Sequence, residues 1–577
     1  MSFWWMNNVS RANSEREQLG ALVDAASWLK SLEISLGDGN LRVEFDIEHG
    51  ANSWELVLIY PIVFPDAPPL VKTRDGKRIS GHQYGPAGEL CLEYRPDNWR
   101  PEVTGAMMVQ SAYSLLSGEN PEDANDAPHV PDGHSISIGQ ATRTEIGRFV
   151  VTHHDLTALH GLEKNRIHTA EIGEVAADGK IAARLMRLGE ANAPGYVSHS
   201  RFPDLIIKSD IFVLRGDVVD LPRVPTPDDI FACVANAAND DFDVTIKEED
   251  RSFYLLASKK DHWTLYCVSL SGEEPLVCTY RTLIDENQEQ RIPAELGALP
   301  ETKIGIVGCG SLGSKIAMQL TRTNAGSFLL IDDDVFFEGN LVRHTLTSSD
   351  VGFHKATALR RRMLKVNPEA SVETRLIRLG GQESSASTVS AMAQLAECDL
   401  IVDATADVGA YLIIAAVAKR NRKPVVWGSV FAGGIGGIVG RAVPGRTPEP
   451  LEARRQVRNW CQAHCAEAQP VANEEPYAAH GGDGHVEIAT DADAAVIASH
   501  VSRLATDTLT HPDNTAFPYS SYVLGMSKSW IFSAPFDTRP IDYTGSLEWA
   551  VDQEPASEKE LAAFLKALIP EEAEGAT

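Results

Sequence analysis

The run Ile304-Gly305-Ile306-Val307 passes directly into Gly308-x-Gly310-x-x-Gly313, and nothing else in the chain restricts its fold as strongly. A short apolar run rich in β-branched residues predicts a buried strand. The glycines behind it predict a tight turn that opens a helix reaching Arg322. The pattern then repeats. Phe328-Leu329-Leu330-Ile331-Asp332 predicts a strand, residues 354–366 a basic helix, and Leu400-Ile401-Val402-Asp403 and Pro424-Val425-Val426-Trp427 two further strand ends. Strands alternating with helices imply a parallel sheet with helices on its faces. Backbone N–H groups at such a helix start can meet phosphates, and Asp332 at the next strand end can hold a ribose hydroxyl. This much suits a nicotinamide dinucleotide as well as ATP.

With 577 residues the chain is too long for one core. We expect three domains, at 1–132, 133–296 and 297–577. Charged residues give 52 − 80 = −28, which speaks against nucleic acid as the main partner, since phosphate backbones call for a basic patch. Met1-Ser2-Phe3-Trp4-Trp5 lacks the basic start and long apolar core of a signal peptide, and no run of eighteen apolar residues is present. The expectation is a cytoplasmic protein without a membrane partner. There the eight cysteines, at 91, 233, 267, 278, 309, 398, 461 and 465, are thiols rather than a disulfide framework. No Cys-x-x-Cys pair occurs, so a four-thiolate zinc site is not expected.

In the N-terminal part, residues 14–36 read as an amphipathic helix and 41–47, 54–60 and 70–73 as strands. The proline-rich Tyr60-Pro61-Ile62-Val63-Phe64-Pro65 must be extended or turned. Residues 103–117 read as a helix and 118–133 as a linker. Cys91 sits in Gly88-Glu89-Leu90-Cys91-Leu92, eight residues before Trp99. The stretch 135–295 holds strand-like pieces, among them 205–207, 253–256 and 263–268, and no chemical constellation; His153, His154 and His160 read as ordinary polar or core histidines.

The residues after the glycine loop narrow the reading. Asp332-Asp333-Asp334-Val335-Phe336-Phe337-Glu338-Gly339-Asn340-Leu341-Val342-Arg343 resembles the signature of the ThiF/ubiquitin-activating superfamily, an acid near the strand end and then Asn-Leu-x-Arg. Lys355 stands where that family has an ATP-contacting lysine. Asp403-Ala404-Thr405-Ala406-Asp407 resembles its magnesium-binding strand end, with the second acid one residue late. The resemblance implies ATP and Mg²⁺, with Gly308, Gly310, Gly313, Asp332, Asn340, Arg343, Lys355 and Asp403 around the nucleotide. Asp403 or Asp407 would hold the metal, and Arg343 and Lys355 would neutralise charge developing on the phosphates. In that family a crossover loop often carries a catalytic cysteine. Cys461 and Cys465 lie in the matching stretch, on a segment, 452–468, that reads as helical and would put both thiols on one face.

Residues 15–130 resemble a ubiquitin-conjugating domain in the order of helix, strands, proline-rich turn, Gly-x-Leu-Cys-Leu and Trp99-Arg100-Pro101. By that resemblance Cys91 carries a thioester. The family's His-Pro-Asn, whose Asn stabilises the oxyanion, is replaced by His82-Gln83-Tyr84, so another donor must serve; His82 either fills that role or braces the loop.

The whole order resembles the bacterial E2–E1 fusion proteins of type II CBASS anti-phage operons. The implied fold is multidomain, α/β and α+β: an N-terminal ubiquitin-conjugating-like α+β domain, a middle α+β linker domain and a C-terminal Rossmann-like adenylation domain. The implied activity is adenylation of a protein C-terminus, that of a CD-NTase, then thioester formation, relay to Cys91 and transfer to an amine on a target. A homodimer through the adenylation domain is implied too. Activation of a small ubiquitin-like protein, a sulfur-carrier adenylyltransferase and a non-enzymatic scaffold are the alternatives.

Overall fold

The computed structural model describes residues 3–37, 39–84, 88–120, 137–190, 192–198, 206–218, 221–222, 224–238, 251–258, 262–269, 275–285, 293–297, 299–464, 478–480, 486–549 and 557–568. The chain forms two compact units, Met1–Arg143 and Thr144–Thr577. The expected linker at 118–133 falls largely outside the described residues.

In the first unit α1 (Trp4–Asn7) and α2 (Val9–Ala25) precede six strands: β1 (Leu29–Gly37), β2 (Asn40–His49), β3 (Asn52–Ile59), β4 (Leu70–Thr73), β5 (Gln83–Tyr84) and β6 (Glu89–Leu90). Helices α3 (Gly105–Glu119) and α4 (Ile138–Ala141) come next. The sheet is antiparallel in the order β1-β2-β3-β4-β6-β5. Period-2 alternation sends Val43, Phe45 and Ile47 into the core, with Phe45 opposite Leu56 and Val43 opposite Leu58. A single helix over 14–36 is not what forms. α2 stops at Ala25, and 29–37 is a strand. Leu32, Ile34 and Leu36 alternate, and pairing with β2 gives their backbone a ladder, Ile34 facing Val43. The register Gly37↔Asn40 leaves two residues for the turn, and Gly39 supplies the positive φ of +79° that such a turn needs.

A buried carboxylate joins these layers. Glu15 of α2 accepts from the Tyr60 hydroxyl at 2.7 Å, from Gly105 N at 2.6 Å and from Arg11 Nε at 2.8 Å. A buried charge is tolerable when bonded this fully. Burial and the adjacent Glu15 push the Tyr60 phenol well above its usual range.

The second unit opens with β7 (Gly147–Thr152), α5 (His153–His160), β8 (Ile167–Ala177), β9 (Lys180–Glu190), β10 (Ala193–Val197), β11 (Ile207–Val218), α6 (Pro227–Ala237), β12 (Arg251–Ser258), β13 (Trp263–Ser269) and β14 (Leu276–Asp285). The order runs β9-β7-β14-β13-β12-β11-β8 and returns to β9, so the sheet closes on itself, with β10 added alongside β9. Closure leaves seven strands without a free edge. Phe149, Ile172, Leu185, Val213, Leu255 and Leu265 fill one of its cores.

The remainder is β15 (Lys303–Val307), α7 (Ser311–Arg322), β16 (Ser327–Ile331), α8 (Lys355–Val366), β17 (Ser371–Arg375), α9 (Ser385–Glu397), β18 (Leu400–Asp403), α10 (Val408–Asn421), β19 (Val425–Val430), β20 (Gly436–Ala442), α11 (Pro450–His464), β21 (Ala478–His480), β22 (Val486–Ile488), α12 (Asp491–Thr510), β23 (Ser521–Gly525), β24 (Thr538–Ile541) and α13 (Glu558–Leu568). The main sheet runs β17-β16-β15-β18-β19-β20-β23-β24. Its first five strands are parallel and the last three antiparallel. The four parallel strands β15, β16, β18 and β19 are buried on both faces, while the edge strand β17 exposes Ser371 and Glu373. One core gathers Ile306, Leu330 and Val402 with Ile316 of α7, Leu359 of α8 and Val501 of α12. The other gathers Leu329, Ile331 and Ile401 with Leu395 of α9, Ile414 of α10 and Val457 of α11. From β15 the chain moves outward to β16 and β17, then returns to β18 on the opposite side. Ligands of open α/β sheets bind at such a reversal, beyond the carboxyl ends of the two strands.

Candidate functional site

The glycine loop lies at that reversal. Gly308 has φ +86°, and a Cβ there would stand 3.0 Å from the Ala404 carbonyl, at the end of β18. A Cβ on Gly313 would fall 1.9 Å from Gly308 O. Both positions require glycine because backbone meets backbone. Gly310 caps α7, and a Cβ on it would meet nothing within 4 Å, so it faces open space at a helix N-terminus. That is a cradle fit for phosphate, with unpaired N–H groups and the positive end of the helix dipole.

Asp332, just past β16, accepts from Cys309 N at 2.6 Å and from Asp334 N at 2.9 Å. Burial pushes its carboxyl above the usual range, with those N–H groups and Lys355 pulling the other way. Lys355 opens α8 and pairs with Asp334 Oδ2 at 2.7 Å while only 9% exposed. Asn340 turns its side chain inward to cap its own turn, accepting from Phe337 N at 3.0 Å. Arg343 is fixed by its main chain: its carbonyl accepts from Ser311 Oγ and from Lys315 Nζ, each at 2.6 Å. Its guanidinium makes no hydrogen bond or ion pair among the described residues. Gly308, Gly310, Gly313, Asp332, Asn340, Arg343 and Lys355 thus occupy connected segments around one strand end.

Asp403 closes the other side. It is 1% exposed. Oδ1 accepts from Thr405 N and from Thr405 Oγ1, and Oδ2 accepts from Arg454 Nη1 at 3.0 Å. Asp407 caps α10, accepting from Ala410 N at 2.9 Å, and stands 3.7 Å from Arg378. Among the described residues no three His, Cys, Asp or Glu side chains gather to hold a metal by themselves. A magnesium ion held by Asp403 or Asp407 would therefore complete its oxygen shell with phosphate and water, as it does in nucleotide sites.

Three residues here carry no signal in the sequence. Lys315, 7% exposed, also pairs with Asp491 at 2.6 Å. His344 Nε2 donates to Cys309 O at 2.8 Å while its Nδ1 accepts from Leu346 N at 3.1 Å, so the ring is the neutral Nε2–H tautomer. Burial pushes its pKa down to about 4. Arg454 lies 51 residues from the aspartate it meets, and no local spacing signals the pairing. Cys461 sits half-buried on α11, packed against the core beside Trp460; Cys465 lies outside the described residues.

In the first unit Cys91 follows β6 directly. Its N–H donates to His82 O at 2.8 Å, extending the β5–β6 ladder by one pair. The thiol is half-buried, and burial raises its pKa. His82 Nε2 lies 3.9 Å from Glu119 Oε1. Arg78, Ser80, Gly81, Glu119 and Asn120 border an open hollow of about 600 Å³.

Residues 287–528 match the ThiF family. The sheet with the glycine cradle is thus a ThiF-family domain, mixed α/β in architecture. The "ATP-dependent ubiquitin transferase-like protein Cap2" of Enterobacter hormaechei is 35% identical over 121 residues, 21% of this chain and 19% of that one. "Uncharacterized protein y4oA" of Sinorhizobium fredii is 30% identical over 179 residues, 30% of each chain. The "Probable adenylyltransferase/sulfurtransferase MoeZ" of Mycobacterium tuberculosis is 29% identical over 134 residues, 23% of this chain and 32% of that one. The matched stretches span less than a third of each relative's length. Of solved structures, E. coli MccB with ATP aligns at a TM-score of 0.32 and 17% identity over 43% of this chain and 67% of that one, a likeness too slight to carry functional weight. No described helix is long and apolar enough to cross a membrane.

Proposed function

We propose that this chain is an ATP-dependent activating and conjugating enzyme. The observation that carries the reading is the glycine cradle at the sheet reversal, with Asp332, Arg343 and Lys355 on one side and Asp403 on the other. ATP would lie with its phosphates at the start of α7. A carboxylate oxygen of a protein C-terminus attacks the α-phosphorus, the new O–P bond forms, and pyrophosphate leaves. Lys355 and Arg343 offset charge on the phosphate oxygens, and Mg²⁺ at Asp403 or Asp407 would supply further positive charge there. Asp332 would accept from the ribose hydroxyls.

A thiol then attacks the acyl carbon and AMP leaves. Cys461 or Cys465 serves as that nucleophile, and the acyl group passes on to Cys91. An amine of the target finally attacks the thioester carbon, and the Cys91 thiolate departs. His82 braces the Cys91 loop through its carbonyl. The likeness to Cap2, a ubiquitin transferase-like protein, supports ATP-dependent transfer; the donor in this reading is the C-terminus of a CD-NTase or of a ubiquitin-like protein, in an anti-phage setting. A homodimer through the ThiF-family domain and a cytoplasmic location belong to the same reading, as do domains at 1–132, 133–296 and 297–577. The likeness to MoeZ favours a second reading, a sulfur-carrier adenylyltransferase, which needs no role for Cys91.

The deciding test is ATP–pyrophosphate exchange driven by an added donor C-terminus, with NAD binding measured alongside. Exchange with ATP and negligible NAD binding is expected. Tight NAD binding without ATP binding would overturn the reading.

A further inference from the structure

The Cys91 sulfur has polar and charged neighbours on several sides, and one of them aims a donor at it. Tyr84 lies on β5 opposite Glu89 of β6, and its hydroxyl hydrogen-bonds Cys91 Sγ. Arg95 and Arg78 add positive potential at the thiol and Glu89 negative. His82 reaches the cysteine through its backbone, while its ring stands by Glu119.

We propose that Tyr84 is a catalytic residue of the Cys91 site, donating its O–H to the sulfur wherever negative charge gathers there. The proposal rests on the thioester reading for its use in conjugation, though not for its effect on the thiol. When the thiol attacks an upstream thioester, its proton passes to water, the new C–S bond forms, the donor's C–S bond breaks and the donor thiolate leaves; the Tyr84 hydrogen bond favours the attacking thiolate. When an amine attacks the thioester, the C–N bond forms, the C–S bond breaks, the surplus proton on nitrogen passes to water, and the electron pair returns to sulfur, where the same O–H receives it. Hydrogen bonds to ionised acceptors are the strong ones. The donor stays available throughout, because burial and the nearby thiol hold the Tyr84 phenol up at about 12. A thiol raised by burial is otherwise slow as a nucleophile. Tyr84 also stands in the stretch where the ubiquitin-conjugating pattern has its Asn.

The test is alkylation of Cys91 by iodoacetamide in the full-length protein, followed over a range of pH by mass spectrometry of the Cys91 peptide. Thiolate sulfur displaces iodide, so the rate reads the thiolate fraction. Tyr84→Phe keeps the ring and, at a site 39% exposed, leaves the core intact. Its alkylation should slow about tenfold on the acid side, with the midpoint moved upward by about one pH unit. An unshifted curve would overturn the proposal. If the curve shifts but no thioester forms on wild-type Cys91 with ATP and donor, Tyr84 conditions the thiol and the conjugation reading fails. If a thioester forms and the curve does not shift, the converse holds.

Discussion

Arg454 of α11 donates to Asp403 at the end of β18, 3.0 Å from Nη1 to Oδ2. This pair fastens the helix that bears Cys461 to the strand end beside the glycine loop. Arg454 also lies over the Tyr411 ring at 3.9 Å. Arg454→Met would leave the buried Asp403 with two of its three hydrogen bonds and no counter-charge, and should cost about 3 kcal/mol, seen as a lower urea midpoint. Asp403→Ala and Asp407→Ala separate the metal assignment: the true ligand's variant should lose pyrophosphate exchange while retaining its fold. Full exchange in both single variants would remove both aspartates from the metal site.

The cradle glycines should not be equivalent. Gly313→Ala places a Cβ on the Gly308 carbonyl and must displace the loop, so exchange should fall by about a hundredfold with a lowered melting temperature. Gly310→Ala meets nothing in the protein. Its melting temperature should hold while ATP affinity drops, as read by calorimetry.

The thiols of α11 and beyond are tested together. With Cys461 and Cys465 both changed to Ala, adenylate should still form, because that step uses no thiol. Loading of Cys91 should fail. Normal loading would mean direct transfer from adenylate to Cys91, or another nucleophile.

For Cys91 itself, Cys91→Ala should stop conjugation and leave pyrophosphate exchange intact. Cys91→Ser should block turnover and accumulate an ester that resists thiols, since an alkoxide leaves less readily than a thiolate. Mass spectrometry of the conjugate compares the yields. Equal yields from wild type and Cys91→Ala would make the cysteine structural.

His344 predicts a pH dependence of stability. Its folded pKa, about 4, lies below the unfolded value of about 6.5, so the unfolded chain binds the extra proton more readily. Stability from the neutral ring is complete above about pH 6.5 and is lost as pH falls toward about 4, up to roughly 3 kcal/mol. Protonation would set Nδ1–H against Leu346 N–H. Urea midpoints of the wild type should fall across that window more steeply than those of His344→Gln.

Four of the five parallel strands are legible in the sequence because they are continuous apolar runs ending beside glycine or aspartate, whereas β17, Ser371-Val372-Glu373-Thr374-Arg375, carries no such run and is placed only by its pairing with β16. Gly308, Asp332 and Asp403 stand where such runs end. The strand at 29–37 is hidden because its alternation is short and its backbone partner, β2, decides the outcome. The closed seven-stranded sheet is hidden for a related reason: its closure joins β8 to β9 by pairing, and no residue marks it. Lys315, His344 and Arg454 act through carbonyls and carboxylates far away in sequence. Tyr84 shows in the sequence only as one of the residues standing in place of a missing motif, since its bond to Cys91 depends on the pairing of β5 with β6.

The segment that ends in Arg343 and His344 is held at both residues. Ser311 and Lys315 grip the Arg343 carbonyl, and the His344 ring grips the Cys309 carbonyl. A seat built this way is ready before its occupant arrives. On the proposed reading, nucleotide capture would not wait for a loop to order, and its rate would be set by encounter in solution. Differences in affinity among nucleotides should accordingly reside in how slowly each one leaves.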